Sequence, residues 1–258
     1  MKRTWRVLSV GNSFSMDTME HLGGIAKGCG MDEVVLGDLY VGGCSIRKHA
    51  SHLEENAAVY EYLEDRGDGW SITPAVSIAE AVQREPWDVI SIQHGSADGS
   101  LYTDPVYYER LPFLVRELKA LAPQARIAFN MTWAGDPDHP HSEIVRFGGD
   151  QEALYRAIAD TTEQAVCTVA GIERVSPTGT AVQLARRSGI GALTRDGYHL
   201  SLDRGRYLAG LTFFKTLTGA ELHGLSWAPD GVTPDVREAL IRVAEAAVLD
   251  PFDRRKNA

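Results

Sequence analysis

Five short segments rich in β-branched and apolar residues recur along the chain: Thr4 to Val10, Glu33 to Val41, Asp88 to Gln93, Arg126 to Trp133, and Glu173 to Ser176. Helical patterns separate them, and this alternation constrains the fold more than any other feature. Strands separated by helices call for right-handed crossovers, which build a mostly parallel sheet covered on both faces. The clearest helix sets Leu111, Leu114, Leu118 and Leu121 on one stripe and ends before Pro123. Another runs from about Asp150 to Ala170, with Leu154, Ile158, Ala165 and Val169 inward. Ser201 is placed to cap a helix over Leu202 to Leu217 closed by Gly219, and Thr233-Pro234 supplies an N-cap and first-turn proline for a helix to about Val248. The stretch 60–78 breaks the rhythm. There Asp65-Arg66-Gly67-Asp68-Gly69 predicts a hairpin or loop excursion that rims a pocket.

With 258 residues, 44% hydrophobic and 24% charged, the chain can bury a full core, and one domain over 1–258 is expected. A net charge of -9 leaves no basic footprint, so nucleic acid and anionic membrane surfaces are not expected partners, and a small or neutral substrate is. Cys29, Cys44 and Cys167 are odd in number and lack metal-ligand spacing, which fits a reducing compartment. The apolar run Val7 to Val10 is too short for a signal-peptide core, and no run approaches a membrane span, so a cytoplasmic protein is expected. The oligomeric state is left open.

In an open parallel sheet, ligands bind beyond the carboxyl ends of the strands. Two strand-exit turns there carry chemistry. Ser13 follows the first strand in a Gly11-Asn12-Ser13 turn that opens a helix, where unpaired backbone N–H groups suit an oxyanion. An ordinary helix cap would use the same residue types. Asp196-Gly197-Tyr198-His199 precedes the helix at Ser201, and an Asp three residues ahead of a His can fold back onto the ring and fix its tautomer. A solvated surface turn would look alike. Together the pieces have the order of a Ser…Asp…His triad: Ser13 would attack an ester carbonyl, His199 would accept its proton, and Asp196 would hold the imidazole.

At this point the chain resembles the SGNH (GDSL-type) hydrolase superfamily over nearly its full length. Gly11-Asn12-Ser13 is similar to the first block of that family, Gly42-Gly43 to the second, and Asp196-Gly197-Tyr198-His199 to the last. The third block departs, with Ile92-Gln93-His94-Gly95-Ser96 where the family shows Gly-x-Asn-Asp. The resemblance implies an α/β fold: a three-layer α/β/α sandwich of about five parallel strands in flavodoxin-like order. It also implies a serine esterase removing a small acyl group, acetyl above all, from a carbohydrate-type alcohol. The oxyanion would lie against the N–H groups of Ser13 and Gly43 and the amide of Gln93.

Asn12, His94, Trp133 and His141 are weaker candidates for substrate contacts. Asp136-Pro137-Asp138-His139-Pro140-His141 gathers carboxylates and two imidazoles, but no third ligand cluster accompanies it, so no metal and no cofactor are expected. Cys44 reads as a small buried filler. Two other functions stay open: a catalytically silent carbohydrate- or ligand-binding protein on the same scaffold, and a glycosidase-like pair of Asp136 and Asp138.

Overall fold

The computed structural model describes residues 3–95, 99–101, 103–137, 139 and 143–253. Strand β1 (Thr4–Gly11) is buried continuously from Val7 to Gly11, as an interior parallel strand covered on both faces must be. Parallel strands β2 (Glu33–Tyr40) and β5 (Val89–Gln93) flank it, and β6 (Arg126–Asn130) and β7 (Ile172–Ser176) continue in parallel beyond β5. At the other edge, β3 (Tyr60–Asp65) and β4 (Ser71–Val76) form a hairpin antiparallel to β2. The sheet order is β4-β3-β2-β1-β5-β6-β7. Counted alone, the five parallel strands run 2-1-3-4-5, the flavodoxin-like order. The excursion at 60–78 therefore extends the sheet. Asp65 closes its turn by accepting the N–H groups of Gly67 and Gly69, and the turn lines a cavity of about 200 Å³ together with Glu20 and Lys27.

Alternation along the strands sends Val7 and Val89 into one core, and Leu8, Val10, Ile90 and Ile92 into the other. The first core lies under α1 (Ser13–Met19), α2 (Leu22–Gly28), α7 (Thr178–Arg187), α8 (Arg204–Thr218) and α9 (Pro234–Leu249). The second lies under α3 (Ile46–Glu54), α4 (Ile78–Arg84) and α5 (Leu111–Leu121). Helix α6 (Gln151–Gln164) packs Leu154, Tyr155 and Ile158 with Met131 and Ala134. No helix among the described residues is long and apolar enough to cross a membrane.

Several boundaries move from the sequence expectation. β6 ends at Asn130, short of Trp133, because the backbone at Met131 turns to bond Ser176 and Gly179. The helix expected to reach Ala170 stops at Gln164 and gives way to a 3-10 turn at Val166–Thr168. α8 begins at Arg204 rather than Leu202, although Ser201 Oγ still accepts the Gly205 N–H at 2.9 Å, and Gly219 at φ 68° ends it as expected. Thr233 makes no side-chain cap; Pro234 alone marks the start of α9.

The order in which strands are added to the sheet reverses between β1 and β5, so the carboxyl ends of these two parallel strands face a crevice. Ser13 follows one strand there and Gln93 ends the other.

Candidate active site

The cap that competes for Ser13 is supplied by its neighbour. Asn12, in extended backbone, is the N-cap of α1: its Oδ1 accepts the Phe14 N–H at 3.0 Å. Ser13 is thereby the first helical residue, its N–H has no carbonyl behind it in the helix, and its hydroxyl is left for another partner. That partner is His199, whose Nε2 lies 3.0 Å from Ser13 Oγ across 186 residues of sequence.

Asp196 folds back as the spacing expects. Its Oδ2 is 2.6 Å from His199 Nδ1, and its Oδ1 accepts the N–H groups of Tyr198 at 3.0 Å and His199 at 2.7 Å. Burial by itself would raise this carboxyl, but the hydrogen bonds from the ring and the two amides outweigh it and bring the pKa down to about 2. An ionised Asp196 fixes the hydrogen of the imidazole on Nδ1 and presents a lone pair on Nε2 to the serine hydroxyl. The turn depends on Gly197, whose φ of 83° favours glycine and whose Cβ position lies 3.3 Å from the His139 side chain.

The surroundings correct several expectations. Asn12 is 3% exposed and fully engaged, with Oδ1 accepting from Phe14 and Gln93 and Nδ2 donating to the Cys44 carbonyl at 2.9 Å, so it ties the Gly42-Gly43 loop to the serine turn and does not present itself to a ligand. Gln93, expected as an oxyanion donor, is 1% exposed and directs its amide to Asn12 Oδ1 at 2.8 Å. His94 is not a surface contact: the ring is wholly buried, accepts the Thr132 N–H at 3.1 Å on Nε2, and meets the Tyr107 hydroxyl at 3.3 Å through Nδ1. Trp133, a candidate substrate contact, is 2% exposed, packs on Phe14 at 4.6 Å and donates its indole N–H to the Tyr198 carbonyl at 2.7 Å. It braces the histidine turn from below. His141 and Asp138 lie outside the described residues. Asp136 is held by Arg186 and Thr194 and donates its N–H to the Gly197 carbonyl at 2.6 Å, a structural engagement that argues against a free glycosidase acid. Gly43 keeps the conformation that a tight loop requires, with φ 61°, an exposed position and nothing within 4 Å of where a Cβ would stand. Cys44 is fully buried beneath it. Among the described residues, no group of three or more His, Cys, Asp or Glu side chains could hold a metal ion.

One component escaped the sequence reading. Asp17, one helical turn after Ser13, is 0% exposed, accepts the Leu200 N–H at 2.8 Å and pairs with Arg195 and Arg206. Its spacing of four from Ser13 was the available signal.

The bond between Gln93 and Asn12 has a measurable consequence. Gln93→Ala leaves a cavity and removes one of two donors to Asn12 Oδ1, so a loss of about 1–3 kcal/mol in stability, or about 3–8 °C in Tm, is expected. An unchanged Tm in calorimetry would mean that the amide is not engaged on Asn12.

A mostly parallel α/β sheet with helices on both faces and polar side chains at its carboxyl edge is a fold this chain shares with solved esterases and lipases. The fold is shared with an acetyl xylan esterase from Geobacillus stearothermophilus, at 15% identity and a TM-score of 0.54 over 84% of this chain and 97% of that one. It is likewise shared with a lipase/acylhydrolase from Enterococcus faecalis, at 14% identity and a TM-score of 0.54 over 82% and 94%. The chain belongs to the family described as domain of unknown function DUF4886, whose sequence profile matches residues 6–249. A DUF4886 family protein from Bacteroides uniformis is 33% identical, with a TM-score of 0.91 over 97% of this chain and 96% of that one. No functionally curated protein matches it.

Proposed function

We propose that the protein is a serine esterase that removes a small acyl group, acetyl above all, from a carbohydrate-type alcohol. One observation carries the proposal: the unbroken chain from Ser13 Oγ to His199 Nε2 at 3.0 Å and from His199 Nδ1 to Asp196 Oδ2 at 2.6 Å. His199 takes the Ser13 proton as Oγ attacks the ester carbonyl, and the imidazolium is stabilised by Asp196. The tetrahedral oxyanion lies against the N–H groups of Ser13 and Gly43, each such donor contributing about 2.7–4 kcal/mol in the transition state. Gln93 acts at one remove, since it holds Asn12 and Asn12 holds the loop that carries Gly43. Collapse expels the alcohol with the proton from His199; water, deprotonated by the same ring, then releases the acid. The acetyl and carbohydrate parts of the proposal take support from the acetyl xylan esterase that shares the fold.

The test is a fluorophosphonate probe followed by a panel of acetylated sugars and simple aryl esters. Labelling at Ser13 and faster turnover of acetylated sugars are expected. A folded sample that takes no label yet binds sugars saturably would replace the esterase with a silent binder, a reading to which the engaged Gln93 amide lends its support.

A further inference from the structure

Ser13 and Asp17 stand at i and i+4 on α1 and so face the same way. A carboxylate as deeply buried as Asp17 is costly unless its oxygens are satisfied, and here both are. Oδ2 accepts the Leu200 N–H at 2.8 Å; Oδ1 accepts Arg195 Nη1 at 3.0 Å and Arg206 Nε at 2.8 Å. Arg195 Nη1 also donates to the Leu200 carbonyl, and the Arg195 N–H donates to the His199 carbonyl at 2.9 Å. Both backbone groups of the residue after His199 are therefore held by one ion pair whose buried carboxylate is rooted in the helix that begins at Ser13.

The rest of that turn is tied elsewhere, the Gly197 carbonyl to the Asp136 N–H and the Tyr198 carbonyl to the Trp133 indole, and neither bond comes from the helix that carries Ser13. The turn's carboxylate Asp196 is 46% exposed, and residues 195–199 form bends without helix or strand. Asp196 orients the ring from inside the turn and moves with it, so it cannot by itself fix the ring relative to Ser13. The Leu200 anchor spans the two parts.

We propose that Asp17, acting through Leu200 and Arg195, is a positioning residue that sets the contact between Ser13 Oγ and His199 Nε2. The assignment rests on the reading of Ser13 and His199 as nucleophile and base. Because misplacement of reacting groups by about 1 Å can cost 10²-fold in rate, a comparable loss is expected when the anchor is cut.

The experiment compares wild type, Asp17→Asn and Arg195→Met in hydrolysis of an aryl acetate, rate of fluorophosphonate labelling, thermal unfolding, and the downfield proton resonance of His199 Nδ1–H. For Asp17→Asn, kcat and the labelling rate are expected to fall about 10²-fold with KM within about twofold, and the resonance to shift or broaden, in a sample that still unfolds cooperatively. Arg195→Met leaves Asp17 paired with Arg206 and should fall about tenfold, which keeps the proposal testable if Asp17→Asn does not fold. Native kcat and a native resonance in either folded variant would reduce Asp17 to a stabilising ion pair. If wild type itself neither labels nor hydrolyses, the esterase reading fails, and the resonance alone then decides whether Asp17 positions the ring.

Discussion

Ser13→Ala is expected to lower kcat for ester hydrolysis by about 10⁴- to 10⁶-fold and to abolish fluorophosphonate labelling, with the unfolding transition nearly unmoved. The size follows from the geometry. The neighbouring hydroxyl of Ser15, two residues on, cannot substitute, because it is buried and faces the Asn12 carbonyl at 2.7 Å and Asp38 at 2.8 Å. His199→Ala should cost about as much as the serine change. Asp196→Asn should cost about 10⁴-fold, because an amide no longer holds the hydrogen on Nδ1. Groups that act as a unit do not add, so the Ser13→Ala/His199→Ala double variant should be no slower than either single one. A Ser13→Ala enzyme retaining more than about 1% of kcat would put the nucleophile elsewhere.

The second large effect is on stability, and its sign is set by burial. His94 and His49 are both within the core, and burial pushes each ring down to about 3, with the charge of His52 adding to the effect at His49. In the unfolded chain both titrate near 6.5. Between those values the unfolded state binds more protons, so the stability of the neutral rings is complete above about pH 6.5 and is lost as pH falls toward 3, by about 5 kcal/mol each at the acid limit. Asp38 opposes this. Burial, only partly offset by its bond to Ser15, raises that carboxyl to about 7, and its stabilising protonated form is lost as pH rises from about 4 to 7. Two histidines outweigh one aspartate, so urea unfolding should show net loss of stability from pH 7 to pH 4. His94→Gln keeps an acceptor for Thr132 and a donor for Tyr107 and should flatten that loss; Asp38→Asn should steepen it. Parallel stability profiles for the three proteins would overturn the account.

Ser15 has one hydrogen and two close acceptors, the Asn12 carbonyl and Asp38 Oδ1, so its bond offsets the burial of that carboxyl only in part.

The alternation of apolar strands with amphipathic helices, read with the positions of glycine and proline, was enough to specify the layered sheet and its parallel core, because side-chain periodicity is a local property of the chain. The fold of Asp196 onto His199 was equally legible, since three residues of spacing suffice for a turn to close. Ser13, Asn12 and Gln93 could each be singled out, but their division of labour could not: whether Asn12 caps, tethers or contacts a ligand depends on Gln93, 81 residues away, and on the Cys44 carbonyl. For the same reason His94 and Trp133 looked available in sequence and prove to be buried, and Asp17 went unnoticed until Leu200 and two arginines came to meet it. Local pattern determines which elements form and where polar residues gather at strand ends. Burial and long-range hydrogen bonding, which exist only once the layers have packed, decide which of those residues remain free to act.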